Sequence, residues 1–305
     1  MRSTLVKTLI DLAEKEERIF VITPDLGFSV WEEFERRFPE RFLNVGVAEA
    51  NAIGLATGLA LCGKIVYVYS IIPFITMRPF EQIRIELAYM KTNVRIVGVG
   101  AGVTYGAQGA THHAIEDIAI MRALPNMLIF SPCDPWEVEQ GVRASLNYEG
   151  PIYFRLGKRG EPVITPTGNS FSFGRANIIR GGRDVYILFT GNIADEVVKL
   201  HSLLESKGIS AEVVSMHTLK PFDYEYLDKV LKTGKPIFTI EEHSIIGGLG
   251  SIVAEYIAEA GYKVRFKRFG IPDQYAHWVG SQKYIREKFG LSAKKIFEKI
   301  CECLE

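Results

Sequence analysis

The sequence has little cysteine, no charge imbalance and no extended apolar run, and each shortage excludes something. Its four cysteines (Cys62, Cys133, Cys301 and Cys303) fall at neither zinc-ligand nor CxxC spacing, which excludes a disulfide-framed scaffold, a zinc module and a thioredoxin-like redox site. So few thiols in 305 residues fit a reducing, cytoplasmic setting. Basic and acidic residues balance at 36 each, leaving no field to attract nucleic acid or an anionic membrane surface. No apolar run reaches the roughly 18 residues that span a bilayer, and Met1-Arg2-Ser3-Thr4 opens on a charged amphipathic stretch rather than a signal peptide. Walker-type and dinucleotide-type glycine loops are both missing after the first strand. His112 and His113 stand side by side with no carboxylate at ligand spacing, so no metal site is expected.

What is present is an alternation. Residues 18–23, 42–45, 64–69, 94–99, 127–131 and 152–155 read as strands. Helical periodicity falls between or beside them at 5–15, from Glu49 onward, and at 78–90, 115–122 and 135–147. Beyond residue 157 the pattern dissolves into Gly, Pro, Thr, Ser and Asn, and a second series starts at Asp184. The reading is an α/β protein of two domains, each a mostly parallel sheet flanked by helices. The boundaries are 1–165, a linker at 166–182, and 183–305.

Two places stand out chemically. Asn44-Val45-Gly46-Val47-Ala48-Glu49 leads into a helix of almost only small and apolar residues, which is hydrophobic all round and predicted to be buried. Glu49 in its first turn is then either paired or at work, since an uncompensated buried carboxylate is costly. The small residues at 50, 52, 54, 56, 58 and 60 leave room for another backbone and point to close pairing between subunits. The glycine-rich loop from Gly100 to Gly109 follows a strand and brings His112 to its edge, at the end of an open sheet where ligands bind. Gly247-Gly248-Leu249-Gly250 is a weaker candidate for a phosphate loop.

Taken in order, several segments resemble the pyrimidine-binding domain of transketolases. They are the run from Asn44 to Ala60, Phe74 with Arg78-Pro79-Phe80-Glu81-Gln82-Ile83, Gln108-Gly109-Ala110-Thr111-His112 with Glu116-Asp117, Arg122 to Met127, Pro132-Cys133-Asp134, and Tyr153-Phe154-Arg155-Leu156. The second half, with Glu241-Glu242-His243 and Gly247 to Gly250, is similar to the C-terminal domain of that family. The resemblance covers essentially the whole chain. It implies thiamine diphosphate as cofactor, held between two domains, one of which carries a Gly-Asp-Gly motif for magnesium and the diphosphate. No Gly-Asp-Gly occurs here. The resemblance therefore implies the C-terminal section of a split transketolase, the second of its two kinds of subunit. A separate N-terminal subunit would bring the Mg2+ and diphosphate site, and the assembly is expected to be α2β2 and inactive without its partner.

The resemblance also implies roles. Glu49 matches the glutamate that hydrogen-bonds the aminopyrimidine ring nitrogen. Phe74 matches an aromatic stacked on that ring, with Ile71 and Met77 standing where relatives carry two more aromatics. His112 matches a histidine facing the reacting sugar. Arg155 matches a phosphate-binding arginine, and Ser29 and Arg2 fall near two further phosphate contacts. Gln108 replaces a usual aspartate and Gly100 a phosphate-contacting histidine. The implied reaction moves a two-carbon ketol unit between sugars other than the common pentose phosphate pair. The alternatives are a 1-deoxyxylulose-phosphate synthase-like enzyme, a 2-oxoacid dehydrogenase β-type enzyme, and a non-catalytic partner subunit.

Overall fold

A computed structural model describes residues 1–158 and 160–305. In the first sheet the chain lays down β1 (Ile19–Thr23), β2 (Phe42–Asn44), β3 (Ile65–Ile71), β4 (Val94–Val99), β5 (Leu128–Phe130) and β6 (Ile152–Leu156). The second sheet holds β7 (Asn177–Arg180), β8 (Val185–Thr190), β9 (Ala211–Ser215), β11 (Ile237–Ser244) and β12 (Phe266–Ile271), while β10 (Thr218–Lys220) returns to the first. Strand order is β10-β5-β6-β4-β3-β1-β2 in one and β12-β11-β8-β9-β7 in the other. All pairs are parallel except β10 with β5 and β7 with β9. The central strands β4 and β6 are buried along their whole length, as expected of strands covered on both faces.

Helices α1 (Arg2–Ala13), α2 (Glu32–Arg37), α3 (Glu49–Leu61), α4 (Ile72–Met77), α5 (Phe80–Gln82), α6 (Asp117–Arg122) and α7 (Pro135–Ser145) belong to the first half. The second half adds α8 (Ala194–Ser206), α9 (Tyr224–Leu231), α10 (Leu249–Glu259), α11 (Gln282–Lys288) and α12 (Ala293–Leu304). Two expectations about helices are corrected. The helix predicted at 78–90 begins earlier, because Pro73 suits a first turn. Pro79 then splits it into α4, α5 and a π-helical turn at Ile83–Tyr89. Helix α3 is not buried all round. Ala52, Ile53, Ala56 and Thr57 face the core with Glu49, whereas Ala50, Asn51, Gly54, Leu55, Gly58 and Leu61 lie open. Strand β7, within the stretch read as linker, forms an edge of the second sheet.

The halves are clasped by buried polar groups. Glu242 accepts from the Val103 amide at 2.7 Å and pairs with Arg286. His243 Nε2 accepts from the Ile118 amide at 3.2 Å, so its Nδ1–H donates to the Ser244 carbonyl at 2.8 Å. Glu241 accepts from the Leu249 and Gly250 amides at 2.8 Å each. The candidate phosphate loop at Gly247 to Gly250 is thereby filled by the protein's own carboxylate, which takes the helix N-terminus an external anion would use.

Burial pushes Glu137 and Glu241 up to about 7, and pushes His243 down to about 4 and His217 to about 3. Between pH 7 and 4.5 the folded glutamates hold protons that the unfolded chain has released, so they add stability as pH falls. Below pH 6.5 the unfolded chain binds protons that the folded histidines refuse, so they remove it. The pairs oppose each other from pH 6.5 to 4.5, and below 4.5 only the histidine loss continues. The melting temperature of the isolated chain should be nearly flat from pH 6.5 to 5 and drop steeply below 4.5. A steady decline from pH 7 downward would contradict these assignments.

Candidate active site

The carboxyl ends of β1, β2, β3, β4 and β6 lead directly into Ser29, Glu49, Phe74, the Gly100–His112 loop and Lys158. Sheet order sets these loops side by side, at the edge where open α/β sheets bind ligands. Glu49 opens α3 and is only 4% exposed. Both of its oxygens accept from one nitrogen of Arg78, Nη1, at 2.9 Å each. The Arg78 guanidinium carbon lies 4.3 Å from the Phe74 ring centroid. Phe74 meets His112 edge-on at 5.2 Å, and His112 meets Tyr105 at 6.2 Å. Lys158 stands over the Tyr105 ring at 4.7 Å. Three rings in successive contact, Phe74, His112 and Tyr105, thus carry a cation on the first and the last, and the first cation is bound to the buried carboxylate.

His112 is half-buried, and its Nδ1 shares a 3.0 Å hydrogen bond with the Thr111 hydroxyl. Gln108 is exposed on the same loop. Ile71 caps the start of α4 and Met77 ends it, so Ile71, Phe74 and Met77 recur at three-residue spacing on one element. Arg2 and Ser29 come together on a different wall, lining one cavity of about 370 Å³ with Glu33 and Arg37. Burial raises the Tyr105 hydroxyl, and the nearby charge of Arg2, which also lines that cavity, opposes the rise.

Gly100 has a physical reason to lack a side chain. Its φ is +90°, and a Cβ there would run into the Tyr105 ring. The space that a side chain at this position would enter belongs to Tyr105.

Arg155 is not in this group. It is 1% exposed, and its Nε donates to Asp117 Oδ2 at 2.7 Å. Its Nη2 reaches Asp117 Oδ1 at 3.3 Å, the Ala114 carbonyl at 2.9 Å and the Glu242 carbonyl at 3.1 Å. Tyr153 adds a 2.6 Å bond to the same carboxylate. The expectation that Arg155 meets a substrate phosphate is corrected: Nε and Nη2 are taken up in fixing α6 and β11 to the sheet, and Nη1, though without a hydrogen-bond partner, is buried with them. Arg78, Tyr105 and Lys158 were not singled out from the sequence, although Phe74 and Arg78 stand four residues apart, a spacing that brings helical side chains together. Among the described residues no cluster of His, Cys, Asp and Glu could hold a metal ion, and no helix is long and apolar enough to cross a membrane.

Residues 1–161 match the pyrimidine-binding domain of transketolases and residues 174–296 their C-terminal domain. The chain belongs to the transketolase family. It is 39% identical over 307 residues to the 6-deoxy-6-sulfo-D-fructose transketolase subunit of Clostridium sp. (strain MSTE9), covering 100% of this chain and 94% of that protein. It is 37% identical over 265 residues to a subunit of the apulose-4-phosphate transketolase of Actinobacillus succinogenes, covering 87% and 85%. Among solved structures, a split-gene transketolase described as an inactive β4 tetramer superposes with a TM-score of 0.91 at 37% identity, over 99% of this chain and 97% of that one. The chain therefore corresponds to the C-terminal section of split members of this thiamine-dependent family.

Proposed function

We propose that this chain is the pyrimidine-activating half of a heteromeric transketolase that moves a two-carbon ketol unit between anionic sugars in the cytoplasm. One observation carries the reading: a buried carboxylate and an aromatic face converge on a planar nitrogen cation at the carboxyl edge of the sheet. The Arg78 guanidinium is a flat N–C–N group, and the aminopyrimidine of thiamine diphosphate presents a similar edge. The residues present fit that ring. Glu49 would hold its ring nitrogen, Phe74 would lie against its face, and Ile71 and Met77 would close its sides. Thiamine diphosphate, when bound, supplies the electron sink for breaking and making the carbon–carbon bond. Magnesium and the diphosphate fall to a partner subunit, in an assembly of two copies of each chain, the open face of α3 being the surface for the second copy.

Within this chain, Glu49 holds or releases a proton at the pyrimidine ring, the work of a positioned acid–base group. His112, beside Phe74, is the candidate to donate to or accept from the sugar oxygens at the reacting carbons, with Gln108 as a neutral hydrogen-bonding partner. The far end of the substrate meets Tyr105, Lys158, Arg2 and Ser29. The named substrates of the two subunit relatives bear a sulfonate or a phosphate, and cations on this wall suit such a group. Lys158→Ala should raise KM for a sulfonated or phosphorylated sugar about tenfold, the scale of one charged hydrogen bond, with little change in kcat. An unchanged KM would remove Lys158 from the subsite.

The reading is tested by mixing the purified chain with a Gly-Asp-Gly-containing partner subunit, thiamine diphosphate and Mg2+. Ketol transfer by the mixture and none by the chain alone is the expected result. Carbon dioxide release from a 2-oxoacid, or no reaction with any ketose, would contradict it.

A further inference from the structure

The proposed function leaves Arg78 without a task. Its side chain is 50% exposed, yet its Nη1 is bound to both oxygens of a carboxylate that is 4% exposed. The same guanidinium lies against the Phe74 ring, 4.3 Å from its centroid. It therefore makes at once the two contacts assigned above to the aminopyrimidine: a nitrogen donating to Glu49 and a flat conjugated group on the phenyl face. One carboxylate and one ring face cannot serve both groups in the same manner.

We propose that Arg78 is a built-in placeholder for the aminopyrimidine, occupying its site in the free chain and yielding when the cofactor enters. The inference rests on the proposed function and adds a competing residue to it. Two physical consequences follow. The buried Glu49 carboxylate is never left without a counter-charge while the subunit waits for its partner. Cofactor entry becomes an exchange, so the affinity of the free chain is reduced by the fraction of time the pair is open. Half of the Arg78 side-chain surface is already exposed, so a displaced guanidinium has solvent close by to move into.

The test uses thiamine and thiamine diphosphate as probes of the whole purified chain, with binding read by ligand-observed NMR rather than by turnover. Arg78→Ala should bind both probes about five- to tenfold more tightly than the unaltered chain, the scale set by opening one partly exposed ion pair. Arg78→Gln should do the same, which guards against a folding defect in the alanine variant. Adding Glu49→Ala to either should abolish the gain. Glu49-dependent binding that is unchanged or weakened by the Arg78 substitutions would overturn the placeholder while leaving the pyrimidine site standing. Binding by no variant would overturn the placeholder, which requires exchange in the free chain, and binding indifferent to Glu49 would overturn both.

Discussion

Glu49→Gln in the assembled enzyme is expected to lower kcat by about two to four orders of magnitude, the range that a positioned proton-transfer group contributes, while melting temperature and assembly stay close to normal. The carboxylate is a single oxygen pair at the start of α3, buried and bound to Arg78, whose guanidinium lies against Phe74. Glutamine keeps its shape and the helix, and Arg78, half in water, can be solvated once its partner is neutral. A structural ion pair would behave differently: its loss would show in stability before turnover. Turnover within about tenfold of normal would place the chemistry elsewhere in the assembly.

The second large effect should be on stability alone. Arg155→Met leaves Asp117 buried and without its cation, and breaking a buried pair from one side costs about 3–5 kcal/mol. The melting temperature should fall by roughly 5–8 °C for a chain of this size. KM for the anionic sugar should change little, because every donor of Arg155 with a partner faces inward, to Asp117, Ala114 or Glu242. A large rise in KM with normal stability would restore Arg155 to the substrate site.

Arg155 also shows where reading the sequence reaches its limit. An arginine at the end of a strand looks the same whether it meets a phosphate or a buried aspartate 38 residues away in the chain. Arg95, fully buried against the carbonyls of Ser145, Tyr148 and Gly150, gave no local signal either. The parallel core was legible because strands covered on both faces must be continuously apolar, as β4 and β6 largely are. Glu49 was legible because one charge in a helix otherwise free of them is conspicuous. The loop from Gly247 to Gly250 was misleading for the opposite reason. Its glycines and helix start are those of an anion site, but the anion is Glu241, supplied from the preceding strand. Gly100 could be read only as a missing histidine. That Tyr105 fills its space is a matter of packing, which no spacing rule contains. The open face of α3 has the same origin, since apolar composition says that a surface is to be covered but not by which chain.

The most direct measurement is a crystal structure of this chain assembled with its diphosphate-binding partner, thiamine diphosphate and magnesium. The expected result is a Glu49 oxygen within hydrogen-bonding distance of the pyrimidine ring nitrogen, the Phe74 ring against the pyrimidine face, and the Arg78 guanidinium displaced from both. A Glu49 carboxylate still held by Arg78, with the pyrimidine bound away from Phe74, would contradict it.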